Sequence, residues 1–334
     1  MTSVEQTVGI ARMYSDGRQY RQAADILGTA LQQNPDSAAL LVEMARAQLG
    51  LDNPEAAASS AFAALSVDPG HVYAMRVYAL ALDQLGQRHD ALTLAYRAVL
   101  ADSHNYLTHY TYGMLLLNAG HFLQAYTAAV EALRGGSADP EVHFLCGRIL
   151  NKLGRLEEST VAYQEALRLD PEHASAEHNI AVNRLNRGHW SRALTGFLGA
   201  GRMDPELGEH VRRNVGVALI RPMRWVTLMV LVTAYFAIVS HQPGAAAPRV
   251  ITVIAAIVTV ALLVRVVRPV PRAALRSVMR ARPMLAVRGG LAVYAVVVGV
   301  LSASGLLAAV SLPAAVVLLL ATILTILIGW LTRT

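Results

Sequence analysis

Two histidines and two glutamates crowd into PEHASAEH, residues 171–178, and these residue types bind zinc or move protons. A zinc helix of the HExxH kind sets its histidines four apart so that both leave one helical face. His173 and His178 are five apart, and the inverse order HxxEH is missed by one residue. Solvated polar residues at a structural joint are therefore expected here. His109 and His143 stand 34 apart with no third ligand beside them, which predicts core or groove histidines and no metal. Cys146 is the single cysteine, so there is neither an internal disulfide nor CxxC spacing. A small core residue in a reducing compartment is expected.

The positions of these residues follow from the distribution of charge and apolarity. The chain of 334 residues is 54% hydrophobic and only 16% charged, too apolar for an ordinary soluble protein. All 23 acidic residues precede residue 221, where 18 Lys plus Arg leave a net 18 − 23 = −5; residues 221–334 hold 11 Arg and no acid. A pI near 9.7 would suit nucleic acid. The excess positive charge sits beside apolar runs, where arginine flanks membrane spans, so no nucleic-acid partner is expected. The opening MTSVEQTVGIARMYSDG is mixed and polar, without the pattern of a secretory leader, and predicts a cytoplasmic N-terminal part. A single lysine (Lys152) among many arginines and alanines hints at a GC-rich bacterial genome.

A fixed period organises the first two hundred residues. Pro35, Pro69, Ser103, Ser137, Pro171 and Pro205 are 34 apart, with Asp68, Asp102, Asp170 and Asp204 before four of them. Gly86, Gly120, Gly154 and Gly188 keep the interval, as do Ala23, Ala57, Ala91, Ala125 and Ala193, Ser159 filling the gap. Within a cycle, apolar residues recur at helical spacing on both sides of the glycine: Tyr112, Leu115 and Leu116, then Phe122, Ala125, Tyr126 and Ala129. Ala45, Ala79, Gly113, Gly147 and Ala181 mark where two helices of a pair cross closely.

These columns resemble the tetratricopeptide repeat (TPR) family, most clearly in LGRLEESTVAYQEALRLDP, residues 153–171, and the resemblance covers about 4–207. Asp52 departs from the pattern where other units carry glycine, and Ser103 and Ser137 depart where they carry proline. The family implies six helix-turn-helix units, 4–37, 38–71, 72–105, 106–139, 140–173 and 174–207, whose first helices line a concave surface for protein or peptide ligands. The expected fold class is all-α: a tetratricopeptide solenoid over 1–207, a closing or linker helix over 208–222, and a four-helix transmembrane domain over 223–334.

Apolar runs at about 225–240, 249–267, 290–310 and 313–332 give four spans. Arg288 to Arg333 is 45 residues, or ~67 Å as a helix against a hydrocarbon core of ~30 Å, so a hairpin near Ser311-Leu312-Pro313 is expected. The connection between spans two and three holds seven Arg, and HQPGAAAP between spans one and two holds none. The positive-inside rule then predicts a multi-pass protein of the plasma or inner membrane, with solenoid and C-terminus cytoplasmic and Trp225 and Trp330 as interfacial anchors. Arg272, Arg276 and Arg280 recur every four residues beside Leu275, Val278 and Met279, which predicts a short amphipathic helix in contact with anionic lipid.

SASG, residues 302–305, resembles the GxSG of rhomboid proteases, but Ser302 replaces the first glycine and no span contains a histidine to act as base. Small residues at Gly299, Ala303, Ser304 and Ala308 read instead as close helix packing and a route to assembly through the spans. No enzyme activity and no cofactor are expected. The predicted function is a membrane-anchored adaptor or scaffold; a non-catalytic subunit of a transport or envelope-synthesis complex is the alternative, and an intramembrane hydrolase ranks below both. The groove columns inferred from the family are Arg12, Arg46, Leu80, Met114, Arg148 and Val182, and Val8, Val42, Arg76, Tyr110, Phe144 and His178, with Tyr73 close by. Arginines bracketing an aromatic and aliphatic middle predict an acidic partner segment with an apolar anchor. Val8, Glu43 and Val77 stand in columns that some family members use to clamp a terminal carboxylate, so that clamp is not expected.

Overall fold

The computed structural model describes residues 3–242, 244, 246–304 and 308–331, and the chain divides into two compact units, 1–171 and 172–334. The first unit is five helix pairs: α1 (Val4–Asp16) with α2 (Tyr20–Gln33), α3 (Ala38–Gly50) with α4 (Pro54–Val67), α5 (Val72–Gln84) with α6 (Arg88–Ala101), α7 (Tyr106–Asn118) with α8 (Phe122–Gly135), and α9 (Pro140–Lys152) with α10 (Leu156–Leu169). It is a TPR-like solenoid.

Each boundary has a local cause. Ser3, Ser37, His71, Asn105 and Asp139, 34 apart, precede the first helix of each pair, and each side chain accepts a hydrogen bond from a backbone N–H two or three residues on. They satisfy donors that the first helical turn leaves open. The turn within each pair needs one residue in the left-handed region, which glycine adopts without a Cβ penalty. Gly86, Gly120 and Gly154 have φ of 77°, 85° and 76°, and Arg18 and Asp52 hold the same place in the first two pairs at 57° and 60°. Asp52 thus keeps the turn geometry that glycine supplies elsewhere.

Packing inside the pairs rests on the small columns. Ala11, Ala45 and Ala79 of the first helices and Ala23, Ala57, Ala91 and Ala125 of the second are fully buried. Ser159 takes the alanine place by donating to the Gly147 carbonyl at 2.8 Å. A Cβ on Gly147 would lie 2.5 Å from the Tyr163 ring, so glycine is what lets that ring close over the crossing. The close approach leaves Leu27, Leu40, Leu115, Leu145, Ile149 and Tyr163 with under 2% exposure, worth about 1.5–3 kcal/mol for each aliphatic chain.

The second unit begins with one more pair, α11 (Ala174–Asn186) and α12 (Trp190–Met203), with Gly188 at φ 84° in its turn. A single 3-10 turn, Pro205–Leu207, leads into α13 (Gly208–Val239), followed by α14 (Ala246–Val267), α15 (Arg272–Ala281), α16 (Pro283–Ser304) and α17 (Ala308–Leu331). The closing helix and first span expected separately are one helix of 32 residues running through Pro222. Phe197 of α12 shares a core with Val211, Val215, Leu219, Val226 and Val230 of α13, so burial along one continuous face outweighs the backbone bond that proline removes. Ser311 to Pro313, expected as a turn, lie inside α17. Part of the third expected span, residues 305–307, lies outside the described residues.

Helices α13, α14, α16 and residues 310–330 of α17 are long and apolar enough to cross a membrane. Their threonines bond within their own helices: Thr227 to the Met223 carbonyl at 2.8 Å, Thr259 to Ala255 at 2.7 Å, Thr322 to Leu318 at 2.7 Å. Such bonds remove the cost of a hydroxyl in an apolar surrounding. Gly299 of α16 packs where a Cβ would meet Ala256 of α14 and Thr233 of α13, both at 3.2 Å.

Candidate partner-binding groove

The first helices of the repeats present residues four apart on one face, and in the first unit these form a polar and aromatic network. Arg12 of α1 donates to Glu43 of α3 at 2.5 Å, and Arg46 of α3 pairs with Asp16 of α1 while standing 3.8 Å from Glu43. The Glu43 side chain is 1% exposed, and a buried carboxylate is tolerated only with compensating charge close by. Tyr73 of α5 lies between two guanidiniums, with Arg12 at 6.0 Å and Arg76 at 5.8 Å from the ring centroid. Burial, and after it the Glu43 charge, raises the Tyr73 pKa, so its hydroxyl keeps its proton.

Arg76 donates from Nε to the Thr111 hydroxyl at 3.0 Å, and that hydroxyl donates to the Leu107 carbonyl at 2.8 Å. Burial lowers the Arg76 pKa, which neighbouring tyrosines oppose. Among the described residues no carboxylate pairs with Arg76, in contrast to Arg12 and Arg46. A groove of about 720 Å³ opens here, lined among others by Arg46, Tyr73, Arg76, Leu80 and Met114. Asp83 and Asn118 join at its edge through a 2.8 Å hydrogen bond.

Farther along, Tyr110 is pushed up to about 12 by burial and the charges of Glu141 and Asp139, with Arg148 near enough to oppose the shift. Phe144 stacks on Tyr163 at 5.6 Å between centroids. Of the nine groove residues expected, Arg46, Tyr73, Arg76 and Met114 share the 720 Å³ groove, Arg12 adjoins it through Tyr73, and Tyr110, Phe144 and Arg148 continue on α7 and α9. His178 belongs to the second unit. Its ring packs on Phe197 at 5.3 Å and its Nε2 accepts from the Asn214 amide at 3.0 Å. Burial, then His210, lowers its pKa and keeps it neutral.

Sequence reasoning passed over Asp16, Tyr20, Asp83 and Thr111, each of which anchors or lines the groove. Asp16 stands four after Arg12, a spacing that marks a shared face, but its pairing is with Arg46 thirty residues on. Only the packed repeats bring those two together.

The remaining expected chemistry resolves into structural roles. His173 caps α11, its Nδ1 accepting from the Ala176 N–H at 3.4 Å. His109 and His143 each bond a serine carbonyl six residues back, Ser103 and Ser137, at 2.9 Å. They stitch the loops that lack proline. Among the described residues no group of three His, Cys, Asp or Glu is placed to hold a metal. Cys146 is buried, its thiol pushed up to about 12. Ser304 donates to the Leu301 carbonyl at 2.9 Å, and Gly305 of SASG lies outside the described residues. His241 contacts the Ala237 carbonyl and the Ser311 hydroxyl, both at 2.8 Å, with Ser311 fully buried. On α15, Leu275 and Val278 pack into the core that α13, α14 and α16 share, and Arg272, Arg276 and Arg280 face outward.

Residues 16–60 and 110–176 each match a tetratricopeptide repeat family model. No curated protein matches the sequence. Among solved structures, the chain is similar to a thermophilic TPR protein of Thermus thermophilus, with 21% identity over 55% of this chain and all of that one and a TM-score of 0.51. It is similar also to the type IV pilus biogenesis factor PilW, with 19% identity over 60% of this chain and 92% of that one and a TM-score of 0.52. Both likenesses are of fold. The two matched segments, the 34-residue cycle, its small columns and its left-handed turns mark the repeats as tetratricopeptide repeats in a TPR-like solenoid.

Proposed function

We propose that the chain is a membrane-anchored adaptor that holds a segment of a partner protein in the groove around Tyr73, Arg76 and Met114. The observation that carries this reading is the groove itself: an aromatic ring flanked by guanidiniums, opening onto aliphatic walls. Arg12 and Arg46 are engaged by Glu43 and Asp16, so the cation on offer is Arg76. A segment with one carboxylate beside an apolar or aromatic side chain fits that chemistry, the ring and Met114 contributing affinity and Arg76 selecting charge.

Anchoring rests on four apolar helices with large side chains turned outward, among them Ile257 at 61% and Leu320 at 62% exposure. Surfaces of that kind are unsuited to water. Arginine asymmetry between the connections favours a cytoplasmic solenoid at the plasma or inner membrane.

A photo-crosslinking amino acid placed at Met114 should capture the partner in cells, and the same group at Leu123, exposed on α8, should not. Arg76→Ala should lower the Met114 capture about fivefold or more, the effect of losing one charged hydrogen-bonding group. Equal capture from both positions, insensitive to Arg76→Ala, would move the binding surface off this groove.

A further inference from the structure

The start of α13 and the end of α15 enclose a basic pocket of about 620 Å³ that plays no part in the groove around Tyr73. Arg212 and Arg213 of α13 line it, together with Arg280 of α15 and Arg282, the residue that follows α15. Glu209 is the acidic residue of the lining and stands 3.8 Å from Arg213. Four guanidiniums against one carboxylate leave a net +3, and Glu209 is the last acidic residue of the sequence. A concave surface of one sign concentrates counter-ions. Backbone and packing together place Arg282. It precedes Pro283, which keeps its backbone out of the helical region at φ −135° and ψ 78°, and its N–H donates to the Val278 carbonyl at 2.8 Å. Its side chain lies across α13 at Gly216, where a Cβ would come 2.8 Å from its Nε and 3.0 Å from its Cδ. Glycine is what admits that arginine.

The rest of the lining selects the anion. Four cycles of 34 residues separate Tyr73, Arg76 and Leu80 from Glu209, Arg212 and Gly216. The column of Arg76 keeps its arginine, while the columns that give the groove its ring and its aliphatic wall carry a charge and no side chain here. Ser277, Val278 and Ala281 complete the lining, so among the described residues it offers no aromatic surface to a nucleobase or an aromatic anchor. We infer that this pocket binds the diphosphate group of a soluble molecule. A carboxylate answers one charge, whereas two linked phosphates bring about three and present oxygens to several guanidinium forks at once. Arg212 precedes Arg224, near the start of the apolar part of α13, by twelve residues, ~18 Å of helix. On the membrane-anchored reading this exceeds a headgroup layer of ~5–8 Å, and on that reading alone rests the choice of a soluble source over a lipid.

The test is isothermal titration of the full chain in neutral detergent with pyrophosphate, orthophosphate, tetraglutamate and farnesyl diphosphate. Pyrophosphate should bind about tenfold tighter than orthophosphate or tetraglutamate, and more weakly as salt rises. Arg212→Gln and Arg280→Gln should each weaken it about fivefold; both residues are exposed, so neither variant disturbs folding. Gly216→Ala keeps every arginine but displaces Arg282, and should weaken pyrophosphate as well. Arg272→Gln with Arg276→Gln, on the same helix and outside the pocket, should leave the affinity unchanged. Wild-type affinity in both Arg212→Gln and Arg280→Gln, or an equal loss from the Arg272 and Arg276 pair, would overturn the site. Tetraglutamate bound as tightly as pyrophosphate would assign the pocket to an acidic segment and overturn the diphosphate. Farnesyl diphosphate bound more tightly than pyrophosphate would overturn the soluble source. Extraction of the wild-type protein from membranes by alkaline carbonate would defeat the anchoring reading separately, with pyrophosphate binding intact.

Discussion

The five-pair solenoid and the acid-free part of the chain beyond residue 209 handle charge in opposite ways. In the five-pair solenoid, arginines meet carboxylates across neighbouring repeats, Arg12 with Glu43 and Arg46 with Asp16, and within helices, Arg155 with Glu158 and Arg168 with Glu165. Beyond residue 209 the sequence has no acidic residue, and Arg213 reaches back to Glu209 at 3.8 Å. The contrast separates arginines engaged in holding repeats together from arginines of a region without acidic residues. It also singles out Arg76, a solenoid residue that bonds the Thr111 hydroxyl and, among the described residues, pairs with no carboxylate.

The largest effect that would break or sharpen this contrast is all-or-none. A membrane-impermeant thiol reagent applied to intact cells should label cysteine introduced at Ala246, in the connection without arginine, and leave one at Ser277 on α15 unlabelled. Cys146 is buried with its thiol pushed up to about 12, so the wild-type background should be silent. Labelling at Ser277 alone would reverse the assigned sides.

Packing gives the next effect, because both units use glycine at helix crossings with different margins. Gly147→Ala drives a methyl to 2.5 Å from the Tyr163 ring, whereas Gly299→Ala meets Ala256 and Thr233 at 3.2 Å. The first should cost about 2–3 kcal/mol and the second under about 1 kcal/mol by thermal unfolding of the full chain. A larger loss at Gly299 would mean that the apolar helices are the more tightly fitted region.

The smallest effect is a gain. Arg18 and Asp52 hold the left-handed turn position at φ 57° and 60°, and Gly should relieve about 1 kcal/mol at each, read as a raised unfolding midpoint. No gain at either position would show that the side chains stabilise the turn through contacts of their own.

Much of this was legible because a period of 34 repeats every local decision: Pro and Asp at the joints, glycine in the turn, alanine at the crossing. The cap column of Ser3, Ser37, His71, Asn105, Asp139 and His173 was equally regular yet easy to overlook, since four residue types perform one hydrogen bond. The continuity of α13 through Pro222 and of α17 through Pro313 was not legible, because proline reads as an ending until burial along both sides is known. The pairing of Arg46 with Asp16 likewise depends on how neighbouring repeats stack. Side chains that meet across thirty residues leave no spacing rule in the chain.

The unbroken course of α13 has a mechanical meaning. Its 32 residues extend ~48 Å, with the first part packed on the sixth repeat and the later part among the apolar helices. A glycine-rich leash would leave that repeat free to swivel. A helix transmits torque, and each residue along it turns the bearing by about 100°. In an anchored protein the compass heading of the sixth repeat relative to the bilayer normal is therefore written into the residue count of one helix.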